Sequence, residues 1–130
     1  MERRKFRWRN GNGEIIGFAF VAVFLFFIML AVTTITAYAT HAEQLTVMTY
    51  CAGRAACVSH TKAFGETRAK SVIDVMSDGD VTFQIKTLNG SWKTGNLMTI
   101  EVTQPFPAIF PFNGRDQVCK LTMMIEGKEK

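Results

Sequence analysis

An α+β fold, with one long N-terminal helix packed on a small antiparallel β-sheet, is predicted by three features of the sequence. The first is an apolar run free of Asp, Glu, Lys and Arg from Ile15 to His41. The second is a proline-free continuation from Ala42 to Met76 with apolar residues at helical spacing. The third is a change of apolar period to two beyond Ser77, in three separate segments.

The apolar run is densest from Ile15 to Val32 and continues more weakly through Thr33-Thr34-Ile35-Thr36-Ala37-Tyr38-Ala39. A helix of about 20 to 25 such residues spans a hydrocarbon core roughly 30 Å thick. No polar face interrupts it before Thr33, as a soluble core helix would require. Arg3, Arg4, Lys5, Arg7 and Arg9 oppose only Glu2, giving the first nine residues a net charge of +4 and the rest none. The basic residues therefore sit beside the span as a topology signal, with the N-terminus cytoplasmic. They are not spread over a folded face as a nucleic-acid binder would spread them, so no nucleic-acid partner is expected. Trp8 and Tyr38 lie near the two ends, where amphipathic rings favour the interface. Ala37-Tyr38-Ala39 resembles a signal-peptidase site, so a secreted protein cleaved after Ala39 is one alternative. The run exceeds the usual signal core of about 7 to 15 residues, which favours a retained anchor. Glu14 stands at the cytoplasmic edge. It is either a solvated headgroup-level carboxylate near Arg9 or an assembly contact, since a carboxylate drawn toward the membrane needs a cationic partner, which a neighbouring subunit could supply.

Helical character is expected to continue to Met76. Leu45, Met48, Ala52, Ala55 and Ser59 form a stripe at three- and four-residue steps. Gly53 suits close packing and Gly65 is the candidate for a kink. A helix unbroken from Ile15 to Met76 would be about 90 Å long. Ser77-Asp78-Gly79-Asp80 ends the pattern.

The sheet is expected from three alternating segments. Val81, Phe83 and Ile85 share one face, as do Met98, Ile100 and Val102, and as do Cys119, Leu121, Met123 and Ile125 of a last strand at 117–126. Asn89-Gly90 and Lys93-Thr94-Gly95-Asn96 are turns. One buried face results, and the helix beyond the membrane is the element available to cover it. Between the last two strands, Pro105-Phe106-Pro107-Ala108-Ile109-Phe110-Pro111-Phe112 is unusually apolar for a loop. It either folds back to close the core or is an exposed contact surface, with Phe106, Ile109, Phe110 and Phe112 as its contact residues.

Cys51, Cys57 and Cys119 fall outside the membrane, where disulfides persist. Cys51 and Cys57 face different ways on one helix, so a helix-to-sheet bridge from Cys119 to either is the expected pairing. Three reduced thiols are the alternative. Cys57 and His60 stand one turn apart, but the paired ligands of a zinc site are missing. There is no nucleophile elbow, and no acid is suggestively spaced around His41 or His60. The chain is therefore expected to be non-catalytic, with no metal and no cofactor.

Several segments taken together resemble the TadE-like pseudopilins, minor pilins of tight-adherence systems, and related proteins of conjugative elements. They are Gly11-Asn12-Gly13-Glu14 leading into the membrane helix, Gln44-Leu45 followed by Gly53-Arg54-Ala55-Ala56, the run from Leu97 to Phe106, and the closing Leu121-Thr122-Met123-Met124-Ile125-Glu126. The chain departs from the pattern in two places. Glu14 directly follows Gly13, so the spacing of the family's processing site is absent. Tyr50-Cys51-Ala52-Gly53-Arg54 also lacks the acidic residue of the family's Arg-Glu-Gly-Ala-Arg. The resemblance implies a pilin-like, structural subunit of a pilus or conjugation-type envelope assembly, partnered by other pilin-like subunits in a homo- or hetero-oligomer. Glu14 would be its assembly residue, and Gly17, Ala19 and Ala22 would permit close helix approach. The expected organisation is a basic cytoplasmic tip (1–14), a transmembrane helix (15–39), an extracytoplasmic helix (40–76) and a sheet domain (77–130). A monomeric anchored binding module that displays the sheet is the rival from another class.

Overall fold

The computed structural model describes residues 9–109 and 113–127. Its elements are α1 (Arg9–Cys57), α2 (Lys62–Met76), β1 (Thr82–Thr87), β2 (Leu97–Pro105) and β3 (Asp116–Met124). The chain divides into two compact units, Met1–Ala37 and Tyr38–Lys130.

In the first unit, most side chains of α1 are exposed, Thr34 being buried. Ile15, Phe18, Phe20 and Met29 are all at least two-thirds exposed. The hydroxyls of Thr33, Thr34 and Thr36 donate to carbonyls one turn back, Thr34 Oγ1 to Leu30 O at 2.8 Å and Thr36 Oγ1 to Val32 O at 2.9 Å. Hydroxyls satisfied in this way do not need water. Thr46 makes the same bond beyond the apolar run, so it is a helix habit and not a membrane signature.

In the second unit, three strands form an antiparallel meander in the order β1-β2-β3. Ile85, Ile100 and Leu121 stand in register across it, as do Val102 and Cys119, and Met98 and Met123. Met98, Ile100 and Val102 on the central strand are fully buried. Burying a side chain of this size contributes about 1.5–3 kcal/mol. Both expected turns form. Gly90 and Gly95 adopt φ of 67° and 90°, a left-handed region that glycine enters without steric cost, and Asn96 N–H closes on Lys93 O at 3.0 Å.

The sheet is covered by α1 through Leu45, Met48, Thr49, Ala52, Gly53 and Ala56. This stripe has steps of three, one, three, one and three, the face of a regular helix. It corrects the expected stripe at one point: Ala56 is buried and Ala55 only partly so. Gly53 lies over β2 and β3. A Cβ there would stand 3.0 Å from Met123 Sδ and 3.1 Å from Ile100 Cγ2, so the bare backbone lets helix and sheet approach.

The helix is not continuous to Met76. It breaks at 58–61, before the expected kink at Gly65 is reached. Two causes meet there. Thr61 takes extended backbone angles and its hydroxyl accepts from Phe64 N–H at 3.3 Å, the N-cap arrangement that starts α2. The amides of Glu126 and Gly127 donate to Cys57 O at 2.8 and 3.1 Å, occupying a carbonyl that ends α1. Gly65 has a packing role instead. It is buried in α2 with Ala69 and Ile73, and a Cβ on it would press on the Trp92 ring at 3.1 Å and the Ala56 carbonyl at 3.2 Å.

Candidate functional site

The described residues offer a partner surfaces more than reactive side chains. The first surface is the apolar part of α1. Glu14 is exposed, as are Gly17, Ala19 and Ala22, and a Cβ added to Gly17 would meet nothing within 4 Å. At about 100° per residue, Gly17 and Ala19 point roughly 160° apart, whereas Ala19 and Ala22 are about 60° apart. One neighbouring helix therefore cannot use Gly17 and Ala19 together. α1 is long and apolar enough to cross a membrane, and none of its most apolar stretch is buried. A signal sequence at the same place would meet that description too.

The second surface is the start of the sheet-bearing unit. Phe106 leaves β2 and packs edge-on against two rings of α1, Tyr38 at 5.3 Å and His41 at 5.2 Å between centroids. His41 Nδ1 is 2.8 Å from Oε1 of the buried Gln117 on β3, while Gln117 Nε2 is buried without a partner. The loop thus folds back onto the helix at Tyr38 and His41, and Phe106 is not part of the sheet's core cluster. Ile109 is half-buried, and Phe110 and Phe112 lie outside the described residues.

The third surface is at the other end of the sheet, where α1 gives way to α2. Arg54 Nη1 donates to Glu126 Oε1 at 2.7 Å, and the neighbouring carboxylate raises the guanidinium's pKa still further. Trp92 Nε1 donates to Ser59 O at 2.9 Å, and the Thr94 hydroxyl bonds to Gly127 O. Cys57 is buried here and donates to Arg54 O at 3.2 Å. Burial pushes its thiol pKa up, and the Arg54 charge opposes this only in part.

All three cysteines are free thiols. Cys119 lies beside Thr46, with Sγ 4.0 Å from its hydroxyl. Cys57 stands eleven residues farther along α1, about 16 Å away at 1.5 Å per residue, beyond the roughly 7 Å that a disulfide spans between Cα atoms. Cys51 is the nearer of the two to Cys119.

An open groove of about 600 Å³ runs between Glu43, Gln44 and Val47 of α1, Met76 and Asp78 after α2, and Gln104 of β2. Its ionisable lining is the carboxylates of Glu43 and Asp78, and the hydroxyls of Thr40 and Ser77 line it too. Among the described residues, no three His, Cys, Asp or Glu side chains converge as a metal site would require.

The order of parts, a long apolar N-terminal helix followed by a small antiparallel sheet, is a pilin-like architecture. Comparison with protein-family models, with characterised proteins and with solved structures finds no match to the chain.

Proposed function

We propose that this chain is a non-catalytic, membrane-anchored structural subunit, a TadE-like pseudopilin or minor pilin of a pilus or conjugation-type envelope assembly. The observation that carries the reading is the unburied apolar face of α1, from Ile15 onward, on the same chain as a compact helix-and-sheet unit. Leaving that much apolar surface in water is costly, so the helix needs a bilayer, other helices, or each in turn. The basic tip orients it with the N-terminus in the cytoplasm. In assembly the bilayer is exchanged for helices of neighbouring subunits. Glu14 then pairs with a neighbour's cationic end. Ala19 and Ala22 give one close-approach face and Gly17 another.

Cysteines placed together at Gly17 and Ala19, on opposite faces of the helix, test this directly in a chain whose three native cysteines are changed to alanine. Oxidative crosslinking at native expression should yield ladders of oligomers. Monomer alone would sink the assembly reading and leave the anchored binding module. Glu14→Ala should cut incorporation into the assembly while membrane insertion persists. The mass of the mature chain checks whether cleavage after Ala39 removes the anchor.

A further inference from the structure

We propose that the turn from Phe106 to Ile109 is a lipid-contacting surface, which seats the sheet-bearing unit on the headgroup layer of the membrane that α1 spans. The inference rests on the apolar part of α1 being a retained membrane anchor, and it adds a second contact with the same bilayer. Tyr38 is the penultimate residue of the apolar run ending at Ala39, so its ring belongs at the membrane–water boundary. The Phe106 ring lies 5.3 Å from it and 5.2 Å from His41, which puts Phe106 within one ring's width of the same depth. The next three residues suit that depth. Pro107 and Ala108 are exposed and Ile109 is half-buried, and none of the three carries a charge. Phe106 N–H donates to Arg115 O at 3.0 Å, so Arg115 stands at the same end of the sheet, exposed, beside the exposed Asp116. A guanidinium at that level is suited to lipid phosphate. An aromatic and aliphatic turn flanked by a cation is the composition of an interfacial contact.

The opposite end of the sheet supplies the comparison. The β1–β2 connection carries Asn89, Gly90 and Ser91 beside the exposed Leu88, and the neighbouring Trp92 turns inward to bond Ser59 O. Exposed apolar side chains occur at both ends of the small sheet, and the Phe106 end is the one in contact with the last ring of the span. Lipid is the occupant because the depth of Phe106 is already fixed by Tyr38.

The test uses the full chain, with Trp8→Phe in every sample so that Trp92 is the common background fluorophore. Ala108→Trp and Asn89→Trp are compared in phosphatidylcholine–phosphatidylglycerol vesicles, with and without bromine on the upper acyl chain. Flotation with the vesicles is read first. The expected result is that all samples float, and that Ala108→Trp alone shows a blue-shifted added emission and loses intensity in brominated vesicles. If the chains float but Ala108→Trp is quenched no more than Asn89→Trp, the lipid contact is overturned and the anchor stands. A blue shift without bromine quenching that grows with the protein-to-lipid ratio means packing on a second copy, and overturns it too. If the chains do not float, the anchor itself fails and this inference falls with it.

Discussion

The indole N–H of Trp92 donates to the carbonyl of Ser59 at 2.9 Å, tying the loop after β1 to the bend between the two helices. Ser59 is almost fully buried, so water cannot easily replace that donor. Trp92→Phe keeps an aromatic ring and removes the bond. It should lower stability by about 1–3 kcal/mol, the cost of leaving a buried acceptor unmet. Denaturant unfolding in detergent, followed by circular dichroism, measures it.

The two buried glycines of the helices should respond differently to alanine. At Gly53 the new methyl meets the flexible end of Met123 and the Ile100 methyl. Its helix-propensity gain of about 1 kcal/mol offsets the crowding. At Gly65 it meets a hydrogen-bonded indole and a backbone carbonyl, neither free to yield. Gly65→Ala should cost about 1–3 kcal/mol and Gly53→Ala should be near neutral. Equal effects in the same unfolding assay would contradict this packing.

The central strand should dominate the sheet's energetics. Ile100 is fully buried against both neighbouring strands and α1, and its truncation to alanine should cost about 2–5 kcal/mol. Val118 on β3 is half exposed, and Val118→Ala should stay within about 0.5 kcal/mol of the parent. Paired denaturation midpoints test the contrast.

Cys57 predicts a dependence on alkaline pH. Its thiol pKa is raised in the folded state by burial, so below the ordinary thiol range both states hold the proton and stability is unaffected by it. As pH climbs from the unfolded pKa toward the folded one, only the unfolded chain releases the proton, and stability falls. Cys57→Ala should show a smaller loss between neutral and alkaline pH than the parent. Maleimide should also label the half-buried Cys51 faster than Cys57 in the folded protein.

The sheet was legible because a strand with one buried face must alternate, and Met98, Ile100 and Val102 do so without exception. Both turns were legible from Asn89-Gly90 and Gly95, where the backbone needs a positive φ. The break between α1 and α2 was not. No glycine or proline marks 58–61, and the amides that close Cys57 come from Glu126 and Gly127, which no local pattern connects with it. Thr61 was the one available sign, a good N-cap residue one place before α2. The Phe106 contact with Tyr38 was hidden for the same reason: periodicity describes one element at a time and says nothing of which loop meets which helix. Glu14, Gly17, Ala19 and Ala22 stand exposed, and residues without neighbours in the chain are the hardest for either kind of reading to assign.

The bonds from Glu126 and Gly127 to Cys57 also impose an order in time. Arg54 and its partner Glu126 are 72 residues apart, and all three strands lie between them. A chain emerging N-terminus first completes α1 long before the amides that close its end exist. Until β2 arrives, the buried stripe from Leu45 to Ala56 has no central strand to lie on. The sheet-bearing unit therefore keeps that apolar helix face open until its central strand has been delivered.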